Sequence, residues 1–278
     1  MFSSFMTNAW IAGSTVAIIA GMMGFFVVLR SSAFAAHAIP NGAFAGAAGA
    51  NLLGVDPLFG LISFSLLAAW GIGTVSRRER SDVVTALALV LMLATGAAFL
   101  SLTTSYASAI NPLLFGEILG VSSAQIAPIG IVAAICVVTL AVGYRPMLYA
   151  SVAPQLAESR GVRADRMNVL FLIVMALATA LTVPVVGTLL TFSLMMGPAA
   201  TARLLVERPG RALMLSVVLA LVTIWVSIAS SYLWNWPIGF FVGTLGVVQY
   251  VTARLMRARL SRGVRSRSTK VRQAVRPH

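Results

Sequence analysis

The sequence has 278 residues, 59% of them hydrophobic and only 10% charged, with a mean hydropathy of +0.94. That mixture excludes an ordinary soluble domain, in which about 25% of residues are charged, and makes lipid the solvent for most of the chain. The formal charge of +13 does not signal nucleic acid, because nine of the 20 basic residues lie between Arg254 and Arg276 with no interleaved aromatic residue.

Helices account for the pattern, giving an all-α polytopic membrane protein. A helix needs about 20 mostly apolar residues to cross a hydrocarbon core roughly 30 Å thick. Runs such as Val83–Leu102 and Ile126–Val142 lack the period of two that a barrel strand would show. Nine spans can be drawn, at about 9–29, 37–54, 57–76, 83–104, 126–144, 167–183, 185–204, 212–234 and 237–256. No positive region or small-residue cleavage site precedes residue 30, so the first span is expected to be retained. The second, dense in Ala and Gly with Gly42, Gly46 and Gly49 at helical spacing, belongs in the protein interior, where other backbones can approach it. Between the fourth and fifth spans the segment Ser105–Gln125 carries one acid, Glu117. Cys136 stands alone within the fifth span, which leaves no disulfide to form. After that span Tyr149–Asp165 is polar enough to leave the membrane, with a short helix expected over Gln155–Arg160 following Pro154. Met167–Leu204 is barely long enough for two spans and contains Pro184 and Gly187, so one member is expected to be broken, and eight spans is the alternative count. Residues 1–257 then form a transmembrane domain. Residues 258–278 read as a basic, disordered cytoplasmic tail drawn to anionic lipid.

Charge gives the direction. With the N-terminus outside, Arg30, Arg77–Arg80, Arg145–Arg166, Arg203–Arg211 and the tail all fall inside, while the outer connections contain no Lys or Arg. The aromatic residues Trp10, Tyr232, Trp234 and Trp236 lie at membrane boundaries, where interfacial anchoring is the ordinary role.

Intramembrane polar residues are costly and are therefore the first functional candidates. The spans hold no Asp, Glu, Lys or Arg away from their ends, which leaves His37. Imidazole suits zinc-like cations better than manganese, but a lone histidine without a carboxylate or thiolate makes a poor metal site; the competing reading is a neutral ring bonded to a neighbouring carbonyl. The pairs Met22–Met23 and Met195–Met196 offer soft sulfur, although packing is the commoner role. Enzyme readings fail. The single lysine, Lys270, lies in the tail, so there is no P-loop, and the chain has neither G-x-S-x-G nor paired intramembrane acids.

Four stretches resemble the permease subunits of bacterial metal-ion ABC transporters, the zinc and manganese importers, and the likeness runs from about Gly13 to Val251. They are Phe26–Arg30 followed by His37-Ala-Ile-Pro-Asn-Gly42; Leu114-Phe-Gly-Glu-Ile-Leu-Gly120; Ala153–Gly161; and Val186-Gly-Thr-Leu-Leu continuing to Pro198-Ala-Ala-Thr-Ala-Arg203. The resemblance implies a bacterial cell-membrane protein that forms the pathway for a divalent cation and binds no cofactor of its own. Its implied partners are a cytoplasmic subunit that uses ATP, an extracytoplasmic solute-binding protein, and a second copy of the permease. It implies a metal-ligand role for His37, coupling to the ATPase through Ala157, Glu158 and Gly161, and binding-protein docking near Glu117. Ala157 and Gly161, one turn apart, would seat a short helix in a groove of the ATPase. Family members commonly carry an aspartate four residues before the histidine, where this chain has Ala33. The alternative function is a stand-alone secondary transporter or channel, which would normally need more ionisable groups within the membrane.

Overall fold

The computed structural model describes residues 4–75, 81–102 and 114–274. Arg77, Arg78 and Arg80, and residues 105–113 of the outer segment, lie outside the described residues. The helices are α1 (Ser4–Leu29), α2 (Ala33–Leu52), α3 (Pro57–Val75), α4 (Ser81–Ser101), α5 (Ser123–Val152), α6 (Pro154–Ser159), α7 (Ala164–Val186), α8 (Thr188–Leu205), α9 (Pro209–Trp234) and α10 (Ile238–Ala274), with a 3₁₀ turn at Ile118–Gly120. No strand occurs among the described residues.

Seven of these helices, α1, α3, α5, α7, α8, α9 and α10, contain a stretch long and apolar enough to cross a membrane. The protein is therefore a polytopic helical membrane protein. Helix α2 falls short of the apolar criterion because it faces protein: nearly every residue from Ala35 to Ala50 is buried. Its glycines admit neighbours at close range, Met92 at Gly42, Gly60 at Gly46 and Phe99 at Gly49, as the small-residue pattern led us to expect. Helix α4 has a shorter apolar stretch, Thr85–Ser101.

Helix α7 is buried along most of its length and organises the bundle. It packs against α1, α2, α3, α5 and α8, while α3 and α4 enclose α2 on one side and α8 and α9 pack on α1 on the other, with α10 against α8 and α9. Backbones meet closely where side chains are small. Ser216 of α9 donates to the Gly21 carbonyl of α1 at 2.7 Å, and a Cβ at Gly197 of α8 would lie 2.9 Å from Gly246 of α10.

Three boundaries differ from the hydropathy reading. Helix α5 continues to Val152 because Met147 and Ala150 still find buried positions past the apolar run. The break between α7 and α8 falls at Gly187 rather than Pro184: a proline forfeits only its own N–H, whereas Gly187 takes φ +89° and ψ 160°, a region essentially reserved for glycine. Both α7 and α8 are continuous, with 23 and 18 residues. The last helix does not stop near residue 256 but runs on to Ala274.

Candidate translocation and coupling sites

His37 sits one turn into α2, half-buried, with its ring edge-on to Phe192 of α8 at 5.1 Å between centroids. Phe192 and Met196 are one turn apart on α8 and only partly buried, so α2 and α8 together present His37 beside an aromatic ring and a thioether-bearing helix face. Asn41 donates to the His37 backbone carbonyl at 2.7 Å. Neither ring nitrogen has a hydrogen-bond partner among the described residues. Ala33, one turn earlier, is half-exposed and contributes no ligand atom. No group of three or more His, Cys, Asp or Glu able to hold a metal occurs among the described residues. Met23 and Met195 are fully buried, as packing residues are.

At the end of the bundle where α7 meets α8, the structure brings two of the sequence motifs together. The segment around Gly116 lies against the α7–α8 junction, where the Glu117 N–H donates to the Pro184 carbonyl at 3.4 Å. Gly116 and Gly187 both have positive φ, and neither leaves room for a Cβ against the other's backbone. Ile118 then inserts toward the middle of α1, where a Cβ on Gly13 would lie 3.0 Å from its Cδ1. Glu117 itself is exposed. With Asp56 and Gln125 it lines a cavity of about 500 Å³ between the start of α3, the start of α5 and the end of α7, whose remaining walls are largely apolar.

At the opposite end of the bundle, α6 is a six-residue helix opened by Pro154 at its first position. It is closed by the Val162 N–H to the Ala157 carbonyl and the Gly161 N–H to the Glu158 carbonyl, both at 2.9 Å, with Gly161 at φ +79°. This is a Schellman cap, which explains the glycine directly. The spacing had suggested that Ala157 and Gly161 share a contact face. Instead Ala157 is 1% exposed, turned into the chain, and Gly161 lies beyond the helix, because the left-handed cap bends the backbone away. Gln155, Leu156, Glu158 and Ser159 form the exposed surface of α6. Arg160 stacks over Tyr149 at 5.5 Å and ties this turn to α5.

Comparison with known proteins follows this geometry along nearly the whole chain. The model of the ABC 3 transport family matches residues 2–257. The chain belongs to this family. It is 29% identical to the manganese transport system membrane protein MntC of Listeria monocytogenes over 84% of this chain and 83% of that one. It is 25% identical to the high-affinity zinc uptake system membrane protein ZnuB of Haemophilus influenzae over 91% and 97% of the two chains. Among solved structures, PsaBC from Streptococcus pneumoniae in complex with Fab is similar at a TM-score of 0.82, with 25% identity and coverage of 90% and 91%. The matched region includes the glycine pair at 116 and 187 and the capped turn at 154–161.

Proposed function

We propose that this chain is the membrane subunit of an ATP-driven importer of a divalent metal cation in the bacterial cell membrane. The observation that carries this reading is the ABC 3 family match over residues 2–257, supported by relatives whose names include both manganese and zinc systems. In this reading α2 and α4 join the seven apolar helices as spans, giving nine, since both are packed against α3 within the same bundle. Two copies enclose the pathway. His37 supplies an imidazole from each, which compensates for the lack of a complete ligand group among the described residues of one chain. The exposed side of α6, with Glu158, seats on a separate ATP-binding subunit, and the outer surface around Glu117 and Asp56 receives the solute-binding protein. The chain supplies no ATPase site, its only lysine being Lys270.

Without a carboxylate at position 33, a site built on His37 is soft and weakly charged and favours zinc-like cations over manganese. The experiment is uptake of zinc and manganese by a deletion strain carrying the whole transporter with this chain, its His37→Gln variant or its Ala33→Asp variant. Uptake is expected to require the ATP-binding subunit, to fall in His37→Gln and to shift toward manganese in Ala33→Asp. Metal uptake by this chain alone would overturn the assignment, and unchanged uptake by His37→Gln would remove the ligand role.

A further inference from the structure

Helices α1 and α2 are joined by a three-residue turn, Arg30–Ser32, and pack little against each other. Its backbone is fixed on both sides: Arg30 N–H donates to the Phe26 carbonyl, Ser32 N–H to Val27, and Ala36 N–H to Ser32, at 2.9 to 3.1 Å. Ser31 holds φ +54°, an uncommon conformation for a residue with a side chain. From this turn the Arg30 side chain crosses to α7. Its Nη2 donates to Asn168 Oδ1 at 2.9 Å, and its guanidinium carbon lies 4.7 Å from the ring centroid of Phe171, which is 1% exposed. Its Nη1 is buried with no partner among the described residues. Burial holds the Arg30 pKa below its ordinary value. A charge kept in such a place by a neutral amide and a ring face is costly, and it calls for a reason beyond packing.

The two ends of this contact supply one. Asn168 lies just over one turn into α7, and α7 follows α6 through the hydrogen-bonded cap at Ala157–Val162. A displacement of α6 is therefore shared between α5, onto which Arg160 stacks, and the α7 turn that holds Arg30. On the other side, Arg30 is three residues from the start of α2 and seven from His37. Helices α2 and α7 also touch directly, but apolar helix faces tolerate sliding, whereas a charge-assisted bond from a planar fork is directional.

We propose that Arg30 is a positioning residue of the transport cycle, clamping the inner end of the His37 helix to the first turns of α7 so that movement of α6 is delivered to the pathway. The proposal rests on the reading of α6 as the surface that meets the ATP-binding subunit. The test uses the complete complex in liposomes, with Arg30→Gln, Arg30→Lys, Asn168→Leu and the Arg30→Gln/Asn168→Leu double variant. Assembly, ATP hydrolysis and cation uptake are measured on each.

Either neutralising or removing one partner is expected to leave assembly and hydrolysis largely intact while uptake per ATP falls by about threefold to thirtyfold. The double variant should be no worse than the more severe single one, because both break the same link. Arg30→Lys, which keeps the charge over Phe171 but loses the fork, should recover part of the loss. Unchanged uptake per ATP in both single variants overturns the proposal. So does a parallel fall of assembly, hydrolysis and uptake, the pattern of a purely structural role. Should Arg30→Gln fail to assemble, Asn168→Leu decides alone, since it leaves the cation in place. Failure of the α6 reading shows separately, as a Gly161→Leu complex that assembles and hydrolyses ATP normally.

Discussion

Gly187→Ala is the sharpest perturbation the fold offers. At φ +89° and ψ 160°, Gly187 occupies a region that costs other residues about 1–3 kcal/mol. An alanine Cβ would collide with the Leu114 carbonyl and lie 2.6 Å from the Gly116 nitrogen, so the outer segment must also shift. Overpacking of that kind costs about 1–3 kcal/mol more, for a total of about 2–6 kcal/mol. Gly130 of α5 is the control: a Cβ there meets nothing within 4 Å, so Gly130→Ala is expected to behave as the parent protein. The assay is retention of the monodisperse protein in mild detergent after heating, followed by uptake in the assembled transporter. Gly187→Ala should lose the folded peak at clearly lower temperature, and Gly116→Ala should do the same for the reciprocal reason. Because the two glycines meet each other, the double variant should cost less than the two single losses together. A Gly187→Ala protein with the parent's heat resistance and uptake would refute the account of this junction.

Two further outcomes are expected. Gly161→Leu forces a side chain into the left-handed cap of α6 at about 1–2 kcal/mol; it should weaken assembly with the ATP-binding subunit in pull-down while membrane insertion, followed by fractionation, stays normal. Reporter fusions at Ser108 and Ser266 should read opposite sides of the membrane, and finding both on one side would rule out the nine-span arrangement.

Much of the fold was legible because lipid imposes a length. Among the described residues, every apolar run drawn from hydropathy overlaps a helix, from 9–29 in α1 to 237–256 in α10. Where the reading slipped, a local signal was weighed without its surroundings. Pro184 and Gly187 together suggested a broken span, yet Pro184 lies inside a continuous helix and the chain turns only at Gly187, whose backbone meets Leu114–Gly116. The end of α5 was placed too early because apolar content falls after Val142, although Met147 and Ala150 remain buried. The small-residue pattern of α2 was read correctly because close approach needs no knowledge of which helix approaches.

The site was legible only in part, and the missing part is tertiary. Arg30 was visible as a basic residue at a membrane boundary, which positive-inside topology already explains. Its attachment to Asn168, 138 residues away, has no local signature. Gly116 and Gly187 came from separate motifs, and their mutual contact was equally hidden. His37 stood out because it is an ionisable residue in an otherwise uncharged helix, but the sequence did not indicate that its ring would face Phe192 edge-on. In the proposed transporter that sparse environment has a physical logic. A structural zinc site surrounds the metal with four ligands and keeps it, whereas a pathway must bind well enough to admit an ion and weakly enough to release it. On that proposal, one imidazole from each of two copies would lie nearer the second requirement, which would leave tight capture to the solute-binding protein and the work of release to the ATPase, with α6, α7 and α2 as the parts proposed to join them.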